Sequence, residues 1–157
     1  GGAVKKMRKC FRVLAVFALL LSGCGAKPQE LPSPAQLFAT IQAQVELPEM
    51  IDTADTELEA LTGIGPDRCE SAVCRRLREG TAPDELIIVR GRDDKAAGEI
   101  QELLEKRLEY KRESGKLYLT EFQPMLQAGV VRRDGLTVSL IVSGQVDAVM
   151  RVYDGLE

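Results

Sequence analysis

The chain has 157 residues, 29% of them charged, with a formal net charge of −3 and neither histidine nor tryptophan. The missing histidine excludes Ser-His-Asp and Cys-His catalysis and histidine-containing zinc sites such as HExxH. The length suits one domain preceded by a leader, and removing residues 1–23 leaves 16 basic and 24 acidic residues, a formal charge of −8. That balance argues against nucleic acid as a partner and against charge-driven adhesion to an anionic membrane.

The first element is the leader. Lys5, Lys6, Arg8, Lys9 and Arg12 form a positive segment ahead of the unbroken apolar run Val13 to Leu21. Nine apolar residues match the core of a secretory signal and fall well short of the ~20 needed to span a bilayer. The run ends in Leu21-Ser22-Gly23-Cys24, which resembles a bacterial lipobox. The resemblance implies cleavage after Gly23 and a diacylglyceryl group on the Cys24 sulfur. Small side chains at Ser22 and Gly23 let an extended segment enter a peptidase cleft, and two acyl chains hold far more firmly than one. Residues 24–33 then read as a short tether, and residues 34–157 as one domain large enough to bury a core without staples.

Ser33-Pro34-Ala35-Gln36 reads as a capped helix start. Leu37, Phe38, Ile41 and Val45 share a face, and Pro48 is expected to stop the helix after Leu47. A second helix is expected from near Asp55, burying Leu58 and Leu61 and ending at Gly63 with Ile64 behind it. Residues 70–79 read as strand or helical turn, with strand favoured. Glu85 to Arg92 is a strand around the branched run Leu86-Ile87-Ile88-Val89.

Asp93 or Asp94 caps the longest helix, expected to reach about Glu113 and end at Gly115. Its core stripe is Ala97, Ile100, Leu104 and Leu108. Thr120 is expected to cap a further turn that stops near Pro124. Asp134-Gly135 is a type I′ hairpin signal, placing Arg132 opposite Thr137 and Val131 opposite Val138. Leu136, Val138, Leu140 and Val142 would face the core, with Thr137, Ser139 and Ile141 facing away. A last helix from about Gln145 buries Val146, Val149, Tyr153 and Leu156. The expected fold is α+β: two N-terminal helices, then a four-stranded antiparallel sheet of two hairpins. A long helix lies between the hairpins, a helix follows the second, and the helices cover one sheet face.

This pattern resembles the small lipoproteins of anaerobic Gram-positive bacteria grouped as domain of unknown function 4358. The shared features are the lipobox, a first helix running into Leu47-Pro48-Glu49-Met50, Gly63-Ile64 after the second helix, and Asp84-Glu85-Leu86 opening a strand. Thr62 stands where a tyrosine is usual, and Pro83 interrupts a usual Ala-Asp-Glu. The resemblance implies location and fold. It implies no enzyme activity, ligand or catalytic residue.

Two cysteines remain beyond Cys24. Cys69 and Cys74 lie five apart, on opposite faces of a regular strand or about 140° apart on a helix, so they could pair only across a turn; the favoured reading is that both are small buried apolar residues. Asp52-Thr53-Ala54-Asp55 lacks the glycine and terminal glutamate of a calcium loop, and Gly63-Ile64-Gly65-Pro66 lacks the third glycine of a phosphate loop. No metal, cofactor or catalytic residue is expected. Arg90, Arg92 and Arg132 are the candidate ligand-binding residues. If their faces coincide they form a basic strip able to hold anionic wall polymer or lipid headgroups; otherwise they cover a solvated sheet face. The expectation is a non-enzymatic binding module on the outer face of the cytoplasmic membrane. Its partners would be the membrane, through diacylglyceryl-cysteine, and an envelope protein or wall polymer. The alternative is an accessory envelope enzyme using carboxylates or a Ser/Lys pair such as Ser114 and Lys116.

Overall fold

The computed structural model describes residues 30–157; Leu21, Ser22, Gly23 and Cys24 lie outside them. The elements are α1 (Pro34–Gln44), β1 (Met50–Asp52), α2 (Ala54–Thr62), β2 (Cys69–Leu77) and β3 (Glu85–Gly91), followed by α3 (Asp94–Tyr118). A 3-10 turn (Thr120–Phe122) leads into α4 (Gln123–Ala128), β4 (Val130–Asp134), β5 (Thr137–Val142) and α5 (Val146–Asp154). The fold is α+β, with a five-stranded sheet in the order β1-β2-β3-β5-β4 and every neighbouring pair antiparallel.

Three expectations about the sheet need correction. The sheet has a fifth strand, β1, between the first two helices: Val45 leaves the helix in extended conformation, so α1 stops at Gln44 and the chain is free to pair with Leu77–Arg75. Helices cover both faces of the sheet, not one. On one side α1 and α5 pack on Val73, Leu86, Ile88 and Ile141. On the other, α2, α3 and α4 pack on Cys74, Ile87, Val89, Val138, Leu140 and Val142. Thr137, Ser139 and Ile141 are therefore buried, not solvent-facing. The final hairpin has also slid by one residue. Gly135-Leu136 is its loop and Asp134 faces Thr137. Gly135 has a positive φ of 61° and Leu136 does not, the φ signs of a type II′ turn, because a leucine resists the left-handed second position that type I′ demands.

Double-sided burial explains the sequence of the central strands. A strand with one wet face alternates, whereas one covered on both faces reads as a continuous apolar run. Leu86-Ile87-Ile88-Val89 is such a run, and all four side chains are buried. Ser139, the most deeply buried polar residue of β5, is satisfied: its hydroxyl and that of buried Tyr153 hydrogen-bond at 2.6 Å.

The helix ends follow local chemistry. Ser33 and Gln36 form the expected capping box, Gly63 closes α2 in the left-handed conformation, and Asp93 Oδ1 accepts from the Ala96 N–H at 2.7 Å. The helix α3 runs on through Gly115 to Tyr118, because the bare glycine lets buried Leu126 pack against it. Pro124 opens α4 instead of ending a turn. Residues 70–79 are mostly strand, as favoured, and β2 carries a bulge between Cys69 and Ser71. The bulge undoes the expected alternation, so Cys69 and Cys74, both free thiols, pack toward the same helical layer. Burial pushes both thiols above their ordinary range.

Two glycines give opposite expectations. At Gly91 an added methyl would meet the backbone of Ala97 at 2.8 and 3.0 Å, where the start of α3 crosses the end of β3. Gly91→Ala should cost about 1–3 kcal/mol. Gly98, inside α3, has room for a methyl, so Gly98→Ala should gain about 0.5–1 kcal/mol. Urea unfolding of both variants checks the pair; equal signs would contradict this packing.

Candidate functional site

The three candidate arginines do not form one strip. Strand register places Arg90 and Arg132 on the α1/α5 face, with β5 between their strands. Each is engaged by carboxylates of the domain itself. Arg90 bonds Glu30 and, at 3.1 Å, Glu70. Arg132 lies 4.6 Å from the centre of the Tyr153 ring and reaches Asp134 at 2.6 Å, Asp154 at 3.1 Å and Glu157 at 2.9 Å. The hydrogen bonds it donates to Asp134 push the Arg132 guanidinium further above its ordinary range, against the opposing effect of burial. Arg92 sits just past Gly91, where strand alternation has ended, and donates to the Pro66 carbonyl at 2.9 Å. The remaining sheet arginines are similarly engaged: Arg75 over the Phe38 ring, Arg78 with Glu49 and Arg133 with Asp94.

The deepest charge cluster lies under the opposite face. Glu85 opens β3 with its side chain only 1% exposed. Arg107 of α3, 9% exposed, clamps it through two bonds of 3.1 and 2.8 Å. Lys111 Nζ and Arg76 Nε each lie 3.6 Å from the same carboxylate. One buried anion thus meets three cations. Burial pulls the Lys111 ammonium below its ordinary value of 10.5, partly countered by Glu85 and reinforced by Arg107 and Arg76. Burial also lowers Arg107, but its bonds to Glu85 outweigh this and the net direction is up. Neighbouring Asp84 is buried too, and loss of water raises its carboxyl. Sequence reading passed over Arg107 and Lys111, although a signal exists. They sit three residues beyond Leu104 and Leu108, positions that the apolar stripe of α3 would otherwise fill.

A groove of about 410 Å³ runs between α2, the loop after it and β2. Leu58, Ile64 and Pro66 supply apolar wall, Ser71 and Ala72 a small-residue side, and Asp55, Glu59 and Glu70 the charge. Local sequence builds it. The strand β1 covers β2 only from Leu77 to Arg75. There Asp52 Oδ1 accepts the Cys74 N–H at 3.0 Å and the Thr53 N–H donates to the Cys74 carbonyl at 2.8 Å. Those two bonds end the pairing and start α2, which follows β2 along its outer edge. A second depression of about 370 Å³ lies between α2 and α3, and it includes Arg107, already clamped to Glu85.

Ser114 and Lys116 both lie on α3, two residues apart and so on different sides of the helix. Lys116 bonds Glu113 instead. Among the described residues no group of three or more Cys, Asp or Glu is placed to hold a metal ion, and no helix is long and apolar enough to cross a membrane.

The family described as "Domain of unknown function (DUF4358)" matches residues 43–143. The chain belongs to that family. The DUF4358 match runs from the end of α1 to just past β5, taking in all five strands, the Glu85 cluster and the groove, and leaving α5 outside. No curated protein and no solved structure matches the chain.

The Glu85 cluster yields a test. Removing the shared anion leaves buried cations uncompensated, so Glu85→Gln should cost about 3–5 kcal/mol. Lys111→Met leaves Glu85 with Arg107 and Arg76, and should stay within about 1 kcal/mol of the parent at neutral pH. A depressed lysine binds fewer protons folded than unfolded, so its contribution to stability grows as pH rises toward 10.5. The stability of the parent minus that of Lys111→Met should therefore increase from about pH 8 to about pH 10 in urea titrations. A falling difference would contradict the assignment.

Proposed function

We propose that this chain is a lipid-tethered lipoprotein of a Gram-positive bacterium, displayed on the outer face of the cytoplasmic membrane, and that its DUF4358 domain acts by binding an envelope partner. The observation that carries this reading is the position of the domain relative to Cys24. Glu30 is paired with Arg90 and Leu31 is buried against the α1/α5 layer. Only five residues, 25–29, separate Cys24 from that docked start. At ~3.3–3.6 Å per residue the leash is at most ~20 Å, which keeps the domain close to its anchor. The lipobox and the positive leader support the same arrangement.

A protein partner is favoured over anionic wall polymer. Arg90 and Arg132 are already neutralised by Glu30, Glu70, Asp134, Asp154 and Glu157, whereas the groove presents carboxylates and an open strand edge. The mature part is acidic overall, which also disfavours a polyanion.

Metabolic labelling with an alkyne fatty acid tests the tether. The parent chain should label and sediment with membranes, and Cys24→Ala should do neither. A Cys24→Ala chain that still labels would overturn the anchor assignment.

A further inference from the structure

The groove lies beside a stretch of sheet edge with which no strand of the described domain pairs. In an antiparallel pair, successive residues aim their backbone groups alternately at the two neighbours. Cys74 aims its N–H and C=O at Asp52 and Thr53, away from β3. Ala72, two residues earlier on the same strand, therefore presents its N–H and C=O to that same outer side. Among the described residues no strand pairs there, since β1 stops opposite Arg75. Unpaired strand edges are templates for another strand. The far edge of the sheet is guarded, because β4 carries Arg132, Arg133 and Asp134, all in ion pairs. The Ala72 edge carries small side chains and a cleft.

The helix beside it adds a second signal. Asp55 and Glu59 lie one turn apart on α2, and both line the groove. Like charges at that spacing repel. Among the described residues neither has an ion-pair partner, whereas Glu70 across the groove is held by Arg90. A lysine or arginine placed between strand and helix would relieve that repulsion.

We propose that the DUF4358 domain binds an extended, basic peptide segment of its partner by strand addition. The segment pairs with the backbone of Ala72 and lays a Lys or Arg side chain against Asp55 and Glu59. The arrangement follows the general logic in which main-chain bonds give affinity and the flanking helix gives side-chain choice. It deepens the binding role proposed above and rests on it, but it is independent of the lipid.

The test uses the full chain in detergent and three blocked hexapeptides: alternating valine and lysine, alternating valine and glutamate, and the valine–lysine peptide with N-methylated backbone. Binding is read by fluorescence anisotropy and by hydrogen exchange at the Ala72 amide. The valine–lysine peptide should bind and slow exchange at Ala72. The glutamate peptide should not bind, and N-methylation should weaken binding by about tenfold or more through lost main-chain bonds. Asp55→Lys with Glu59→Lys should reverse the preference between the two charged peptides. Ala72→Pro should lose about tenfold in affinity, since proline is tolerated at a sheet edge but offers no N–H. The N-methylated arm, run on the unaltered chain, decides the matter should that variant fail to fold. Absence of binding by the valine–lysine peptide, equal binding of the N-methylated peptide, or unchanged exchange at Ala72 would overturn the proposal. Peptide binding by a chain that never acquires lipid would overturn the tether and leave strand addition standing.

Discussion

The β3–β5 pair is the constraint on which the rest of the domain depends. Both strands are buried on both faces, so every side chain on them must find a partner inside the protein. That requirement brings α1 and α5 to one side and α2, α3 and α4 to the other. It also accounts for two close approaches, where Gly91 lets the start of α3 cross the end of β3 and Gly115 admits Leu126. The buried hydroxyls of Ser139 and Tyr153 satisfy each other within the same constraint. Removing either would leave a polar atom with no water to turn to, a larger cost than the bond itself is worth.

Charge is organised by the same economy. The domain is acidic overall, yet its arginines are drawn inward and laid against carboxylates. Glu85 and its three cations form a polar cluster inside an apolar layer, next to the end of the sheet where β3 begins. Such clusters seldom add net stability relative to apolar replacements, but breaking one partner is costly. The Glu85 cluster fixes α3 against β3 in a single register, because the two bonds from Arg107 admit only one orientation. What remains unneutralised on the groove side is acidic, and it lies next to the uncovered stretch of β2.

The legible parts of the sequence were those governed by local chemistry. Ser33, Gly63 and Asp93 marked helix ends because capping depends on a few neighbouring residues. The strand at Glu85 and the final hairpin were visible from branched apolar runs and Asp134-Gly135. Tertiary effects hid the rest. The three-residue strand β1 has no periodicity to read and exists only because β2 pairs with it. The exchange of one covered face for two was present in the polar-looking Thr137-Ser139 alternation, which misled because Ser139 is matched by a tyrosine fourteen residues away. The bulge at Glu70 reversed the expected placing of Cys69. Whether the faces of Arg90 and Arg132 coincide depends on strand order, which local sequence does not show; register puts both on one face, and their acidic partners come from distant segments, Glu30 and Glu157 among them.

The docked start of the domain has a mechanical consequence. Force applied to the chain ahead of Glu30 does not first unravel α1. It first meets the Glu30–Arg90 pair, which ties the chain to β3, and Leu31, which is buried in the α1/α5 layer. A pull on the leading end must therefore undo those two ties before it loads α1.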